Sequence, residues 1–231
     1  MEFPLRYLLV ISALAAGSLL LAACGGEEEE PLPPTSTPTP GTPTAAADPQ
    51  DFAEFADLVA RAVAAQDTSF FAARVKGRTY TCTQADVPGE GWGIEQGICQ
   101  EVGQQVDVVE HWFWHSEGLL RRPETMVTAI EDYFASALPG ETDDYGTGAV
   151  RLYAIGTTRS SEPSQRFKAA ILTAITPVGE GAASKPVRTA RGIDFQYVDG
   201  RWVIIGMLWV SVLPEEVLDP KTTPYDEWEK R

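Results

Sequence analysis

The chain has 231 residues, with 33 acidic against 18 basic side chains and a net charge of −15. A surface this acidic repels nucleic acid and anionic lipid headgroups, which excludes a polyphosphate partner and membrane binding driven by charge alone. Three cysteines and two histidines leave little for a metal site, and no catalytic or cofactor motif runs along the chain, so no catalytic residue, cofactor or metal is assigned.

At the N-terminus a single base, Arg6, precedes an apolar run from Tyr7 to Leu21. The run is too short for a comfortable membrane span and has the length of a signal-peptide core. It ends in Leu21-Ala22-Ala23-Cys24, which resembles the lipobox of bacterial lipoproteins. The resemblance implies cleavage after residue 23, acylation of Cys24 and attachment to the lipid bilayer on the extracytoplasmic face of the cell membrane, or to an outer membrane where there is one. Cleavage removes one acid, Glu2, and one base, Arg6, so the exported form keeps its charge of −15. Residues 24–48 then read as a tether. Four glutamates, Glu27 to Glu30, lead into a Pro/Thr-rich stretch that has almost nothing to bury and stays extended. At about 3.1 Å per residue, twenty such residues reach roughly 60 Å.

With lipid on Cys24, Cys82 and Cys99 remain as an even pair in an oxidising compartment. Their sixteen intervening residues suit a disulfide better than a metal or redox pair. Closing that loop contributes on the order of 3 kcal/mol in the chain-entropy model.

One domain is expected over residues 49–213. It opens at Asp48-Pro49-Gln50-Asp51, read as an N-cap acid, a proline at the first helical position and a second acid in the first turn. Phe52, Phe55, Val59, Ala62 and Val63 follow helical spacing to about Gln66. A short second helix, capped by Asp67 or Thr68, adds Phe70 and Phe71. Residues 78–83 read as a strand carrying Tyr80 and Cys82, and 88–97 as a glycine-rich loop without the Gly-Lys-Ser/Thr ending of a phosphate-binding loop.

Val106 to Ser116 holds both histidines. On a helix His111 and His115 would share a face and chelate one ion. The β-branched and aromatic composition argues for a strand, which sets them roughly 13 Å apart, with Trp112 and Trp114 opposite them as an aromatic wall. Pro123-Glu124 then starts a helix with Met126, Val127, Ile130, Tyr133, Phe134 and Ala137 on its buried side, stopped at Pro139-Gly140. Residues 141–146 carry calcium-like acids without EF-hand spacing and read as a solvated acidic loop. Strands follow over about 149–158 and 167–177, the second with Ile171 and Ile175 on one face and Leu172 on the other.

The best-defined stretch is Val187 to Val212. Asp199-Gly200 favours a type I′ hairpin turn between two strand-like runs. Ile193, Phe195 and Tyr197 share one face of the first run, Asp194 and Gln196 the other. The second run is apolar on both faces, with Trp202, Ile204, Leu208 and Val210 against Val203, Ile205, Met207 and Trp209, and is expected inside its sheet. Residues 214–231 read as a C-terminal tail with one helical turn and a frayed end.

The fold class is therefore α+β, with N-terminal helices packed on a curved, mostly antiparallel, cone-like sheet that ends in a long β-hairpin. Element order over residues 51–212, closing in Tyr-Val-Asp-Gly-Arg-Trp-Val-Ile, resembles the nuclear-transport-factor-2-like superfamily, the α+β cone shared with polyketide-cyclase-like and ketosteroid-isomerase-like proteins. Its enzymes keep an Asp, His or Tyr inside the cone; Tyr80, Asp107, His111 and Asp194 are of the right type, and no motif transfers a role to any of them. The expected function is that of a non-enzymatic lipoprotein whose domain binds an unknown small molecule, peptide or envelope protein, with Tyr80, Trp112, Trp114 and Tyr197 as candidate ligand-binding residues. The alternative is a small-molecule enzyme, isomerase-, dehydratase- or hydrolase-like, using a buried Asp or His base.

Overall fold

The computed structural model describes residues 47–87, 93–113, 118–158, 167–179, 184–210, 218–219, 221 and 225–231, with the side chains of 112, 113, 209, 210, 225 and 226 outside that description. The leader, Cys24, nearly all of the tether, Trp114 and His115 lie outside the described residues. Residues from Ala45 to Arg231 make one compact unit.

Helix α1 (Phe52–Ala64) is capped by Asp51, whose carboxylate accepts from the Glu54 N–H at 3.0 Å. The expected cap, Asp48, is used elsewhere. Its carboxylate accepts from Arg74 Nη2 and from the Trp202 backbone N–H, each at 2.9 Å. Two acids at helix-start spacing compete for one role, and the one with long-range partners leaves it to the other. Helix α2 (Thr68–Ala72) follows, with Asp67 accepting from Phe70 N–H as its cap. Strand β1 (Arg78–Thr81) pairs with β2 (Gln105–Phe113), which also carries the short β3 (Leu119–Arg121). The disulfide Cys82–Cys99, with Cα atoms 5.7 Å apart, staples the intervening loop over a satellite core of Ile94, Ile98 and Val108. Helix α3 (Pro123–Ser136) buries Met126, Ala129, Ile130, Tyr133 and Phe134; Val127 and Ala137, expected among them, are half-buried.

The stretch expected as a solvated acidic loop is a small hairpin, β4 (Thr142–Asp143) and β5 (Gly146–Thr147). Strands β6 (Arg151–Thr158), β7 (Lys168–Val178), β8 (Lys185–Val198), β9 (Arg201–Val210) and β10 (Tyr225–Lys230) complete the chain. The main sheet runs β1-β2-β9-β8-β7-β6-β10, with β3 beside β2. Its described neighbours are antiparallel except β2 and β9, which run parallel. The fold is α+β on a mixed, mostly antiparallel sheet.

Asp199 and Gly200 take φ values of +51° and +81°, the two left-handed residues that a type I′ turn requires. As its two-sided pattern predicts, β9 is interior, between β2 and β8. The face assignment is different. Asp194 pairs with Gly206 but Phe195 with Ile204, so Ile205 is the extra residue of a β-bulge and the side-chain alternation inverts there. Trp202, Ile204 and Met207 consequently share one face, and Leu208, expected with Trp202, lies on the other.

The described helices α1, α2 and α3 pack on one face. Phe52, Phe55, Val59, Phe71, Met126 and Phe134 close on Leu172, Ile193, Phe195, Trp202 and Ile204 to form the main core. The Phe55 ring stands 5.4 Å from Phe195 and 5.7 Å from Trp202, centroid to centroid. Each such fully buried side chain contributes about 1.5–3 kcal/mol. The opposite face carries a smaller cluster of Tyr153, Ala154, Ala169, Ile171, Ala190, Leu208 and Leu218.

The C-terminal end, expected to fray, is edge strand β10, paired with β6 from Tyr225↔Thr158 to Lys230↔Ala154. Arg231 N–H donates to Tyr153 O at 2.9 Å and its guanidinium to Ala53 O at 3.1 Å. Charged residues dominate this strand because an edge needs them to deter further pairing, and that removes the apolar alternation by which a strand is read.

Candidate functional site

The residues singled out for binding do not converge. Tyr80 is half-buried at the disulfide satellite, where its hydroxyl donates to Asp86 Oδ2 at 2.9 Å; Thr83 N–H and Oγ1 donate to the same oxygen at 2.7 and 2.6 Å. The Thr83 hydroxyl holds the Asp86 carboxyl below its ordinary value, and Asp86 in turn raises the Tyr80 phenol. Tyr197, on β8, is separated from Tyr80, on β1, by β2 and β9. It packs edge-on against Trp202 at 5.2 Å and donates to Asp48 O at 3.3 Å. The Trp112 backbone lies in β2 opposite Leu208, and Trp114 is outside the described residues. Of the residues with the right chemistry for a base, Asp107 is exposed beside Thr79. Asp194 is buried, but alternation along β8 turns it to the face away from the helices. Only His111 is buried on the helix side.

Around His111 the register assembles a polar island. His111, with no exposed surface, opposes Leu119 on β3 and Met207 on β9, and Met207 belongs to the helix-side core. Arg121 opposes Val109, a residue of the same core, so it faces the same way. Arg191 opposes Leu172 on β7 and is 5 % exposed. Its guanidinium lies 4.6 Å from the centroid of the Tyr133 ring, and Nη1 donates to Ala190 O at 2.8 Å. Tyr133 reaches over from α3, and its hydroxyl donates to Thr189 O at 3.1 Å. The hydroxyls of Thr189 and Thr176 meet at 3.1 Å beside it.

Burial sets the protonation states. It pushes the His111 imidazole down to about 3, helped by the positive charges of Arg121 and Arg191. The Tyr133 phenol is pushed up to about 12 by burial, against the pull of Arg191. Arg191 is lowered to about 10, again by burial, with Tyr133 opposing the shift. At neutral pH the island therefore holds a neutral imidazole, a protonated phenol and guanidinium charge. An imidazole this weakly basic is a poor proton acceptor at pH 7.

Sequence reading passed over Arg121, Tyr133 and Arg191 as site residues. A trace of the last was present: Arg191 is in phase with Ile193, Phe195 and Tyr197, an arginine on the apolar face of an alternating strand. Tyr133 and Arg121 carried none, because their meeting depends on how α3 and β3 lie across the sheet.

Two clefts lie elsewhere. One of about 400 Å³ beside the disulfide loop is lined by Ile98, Gln100, Gln104, Val106, Asp107 and Arg122. Another of about 300 Å³, between the start of α1 and β10, is lined by Phe52, Ile155, Lys168, Glu227 and Trp228 among others. No cluster of three or more His, Cys, Asp or Glu suited to a metal occurs among the described residues, and no described helix is long and apolar enough to cross a membrane. No protein-family model, curated protein or solved structure matches the chain.

Proposed function

We propose that the protein is an envelope lipoprotein, anchored to the bilayer through acylated Cys24 and presenting on its tether a non-enzymatic binding domain of the nuclear-transport-factor-2-like type. Helices first and, among the described residues, one parallel strand pair in a mostly antiparallel sheet with the helices on one face support that fold reading. The observation that carries the binding role is the helix-side island of His111, Arg121, Arg191 and Tyr133. Burying a charged side chain costs several kcal/mol per ion unless its surroundings repay it, and apolar residues of similar volume are often as stable or more so. An arrangement of this kind in a core is spent on something other than stability.

The test is native mass spectrometry of the full-length protein, extracted from its own host's membranes in mild detergent. The expected spectrum shows acylated Cys24 at the mature N-terminus together with a non-covalent small-molecule adduct. Protein lacking the acyl mass overturns the anchoring, and a bare acylated mass overturns small-molecule binding in favour of an envelope-protein partner.

A second reading, an enzyme with a buried base, is favoured by the helix-side position of His111 alone. It requires that His111→Gln abolish turnover of the retained ligand at saturating concentration; unaltered turnover eliminates His111 as the base.

A further inference from the structure

We propose that Asp48 is a mechanical clasp, which passes tension arriving along the chain ahead of the domain to β8 and keeps it off α1. The source of that tension rests on the anchoring proposed above; the path it takes is set by the fold.

Ala47, the first described residue, is exposed, and Asp48 after it is buried. All four polar atoms of Asp48 are engaged. Its N–H donates to Gly200 O at 2.9 Å. Its Oδ2 accepts from the Trp202 N–H and its Oδ1 from Arg74 Nη2, each at 2.9 Å, and its carbonyl accepts from the Tyr197 hydroxyl at 3.3 Å. One residue on, Pro49 O accepts from Trp202 Nε1 at 2.8 Å. Tyr197, Gly200 and Trp202 all belong to the closed end of the β8–β9 hairpin. Arg74 leads to the same place, because its carbonyl accepts from the Ile204 N–H at 2.8 Å. The two bonds to the carboxylate are of the stronger, charge-assisted kind.

Without these bonds, tension would reach α1 at its cap. There Asp51 holds the helix by one side-chain bond, to the Glu54 N–H. The bonds of a helix pulled from its end open in turn, each loaded only after the one before it has gone, and helix ends are among the parts that open most readily. Bonds that fan out from one residue to a neighbouring hairpin share the load instead. Beyond them β8 is hard to move. It pairs with β7 from Lys168↔Phe195 to Val178↔Lys185 and with β9 from Ala190↔Val210 to Val198↔Arg201, so tension along it has to shear two ladders together.

Forced unfolding reads the barrier in the direction of pull. Optical-tweezers unfolding of the full-length protein in detergent tests the clasp, with handles on azide-bearing amino acids at positions 42 and 185, a line that runs through Asp48 and along β8. A second pair, at positions 79 and 185, bypasses Asp48. From 42 and 185 the unaltered protein is expected to extend in no step ahead of its main unfolding event. Asp48→Ala is expected to show an early step of roughly 25 Å, the thirteen residues of α1 lengthening from about 1.5 to about 3.5 Å each. From 79 and 185 the two proteins should open at the same force. An early helix step in the unaltered protein, or none in Asp48→Ala, overturns the inference, and so does an equal drop in force in both geometries, which would make Asp48 a contributor to general stability only. Should Asp48→Ala fail to fold, Tyr197→Phe removes one bond and keeps the ring; a lower force from 42 and 185 alone supports the clasp, and an unchanged force there overturns it. The acyl mass on Cys24 decides the anchoring separately, so failure of the clasp and absence of the lipid are told apart.

Discussion

Arg188 and Arg191 stand three residues apart on β8, both buried, and alternation turns them to opposite faces of the sheet. Arg188 closes a circuit. Its Nε and Nη2 donate to the two oxygens of Asp143 at 3.0 and 2.6 Å, Nη1 to Thr147 O at 3.0 Å and Nη2 to Gly146 O at 2.8 Å. The β4–β5 hairpin is thereby clamped to the sheet, and the bond from Arg188 holds the Asp143 carboxyl below its ordinary value. Arg191 has different company: the face of Tyr133, a backbone carbonyl, and an imidazole that its charge helps keep neutral. A buried cation is thus uninformative by itself. At Arg188 a carboxylate and backbone carbonyls enclose it and it fastens a loop; at Arg191 it lies against the face of Tyr133 on the helix side.

Acid should separate the two faces most strongly. The His111 imidazole lies near 3 in the folded protein against an ordinary 6.5. A base with a depressed folded value contributes its full stability above the unfolded value and loses it as pH falls toward the folded one. The loss between pH 6.5 and 3 is on the order of 4 kcal/mol, with about 2 of it complete by pH 5. Urea unfolding at pH 7, 6 and 5 is expected to show this limb, and His111→Gln to flatten it; an identical slope in the variant would mean that the imidazole is not desolvated.

Removing the clamp comes next. Arg188→Met strips Asp143 and two carbonyls of their donor and is expected to cost about 3 kcal/mol in chemical denaturation. A cost near zero would mean that the β4–β5 hairpin is held without it. The smallest effect is expected for Asp143→Asn, about 1 kcal/mol, since the partly exposed side chain keeps one acceptor oxygen and loses the other, with the charge, to an amide NH2. Combined with His111→Gln it should be additive within about 0.5 kcal/mol. A larger coupling in the double mutant would join the two faces into one network.

How much of this was legible depended on how far apart the partners lie in the chain. The Asp199-Gly200 turn, the strand at residues 105–113 in place of a chelating helix, and α1 to α3 were legible, because spacing and turn chemistry act within a few residues. The bulge at Ile205 was not, since an extra residue in β9 has meaning only against the register of β8. Asp48 was read as a cap because its partners, Arg74 and Trp202, are 26 and 154 residues away. The acids at 141–146 are exposed as read, but the bond from Arg188 to Asp143 was not legible, because it spans 45 residues. The site lay on the illegible side: each of its side chains is ordinary alone, and only the packing of α3 and β3 makes them neighbours.

The parallel pairing of β2 with β9 has a kinetic consequence. Residues 110–113 wait for residues 206–209, and the core under α1, which packs on β6 and β7 as well, is completed only by Phe195, Trp202 and Ile204. A chain made from its N-terminus therefore forms its local pairs, β1–β2–β3 and β6–β7, before they can join, and closure comes with the last long hairpin. Such non-local contacts make folding slow and late. The same hairpin that organises the native sheet is the step that joins β2 on one side to β7 on the other.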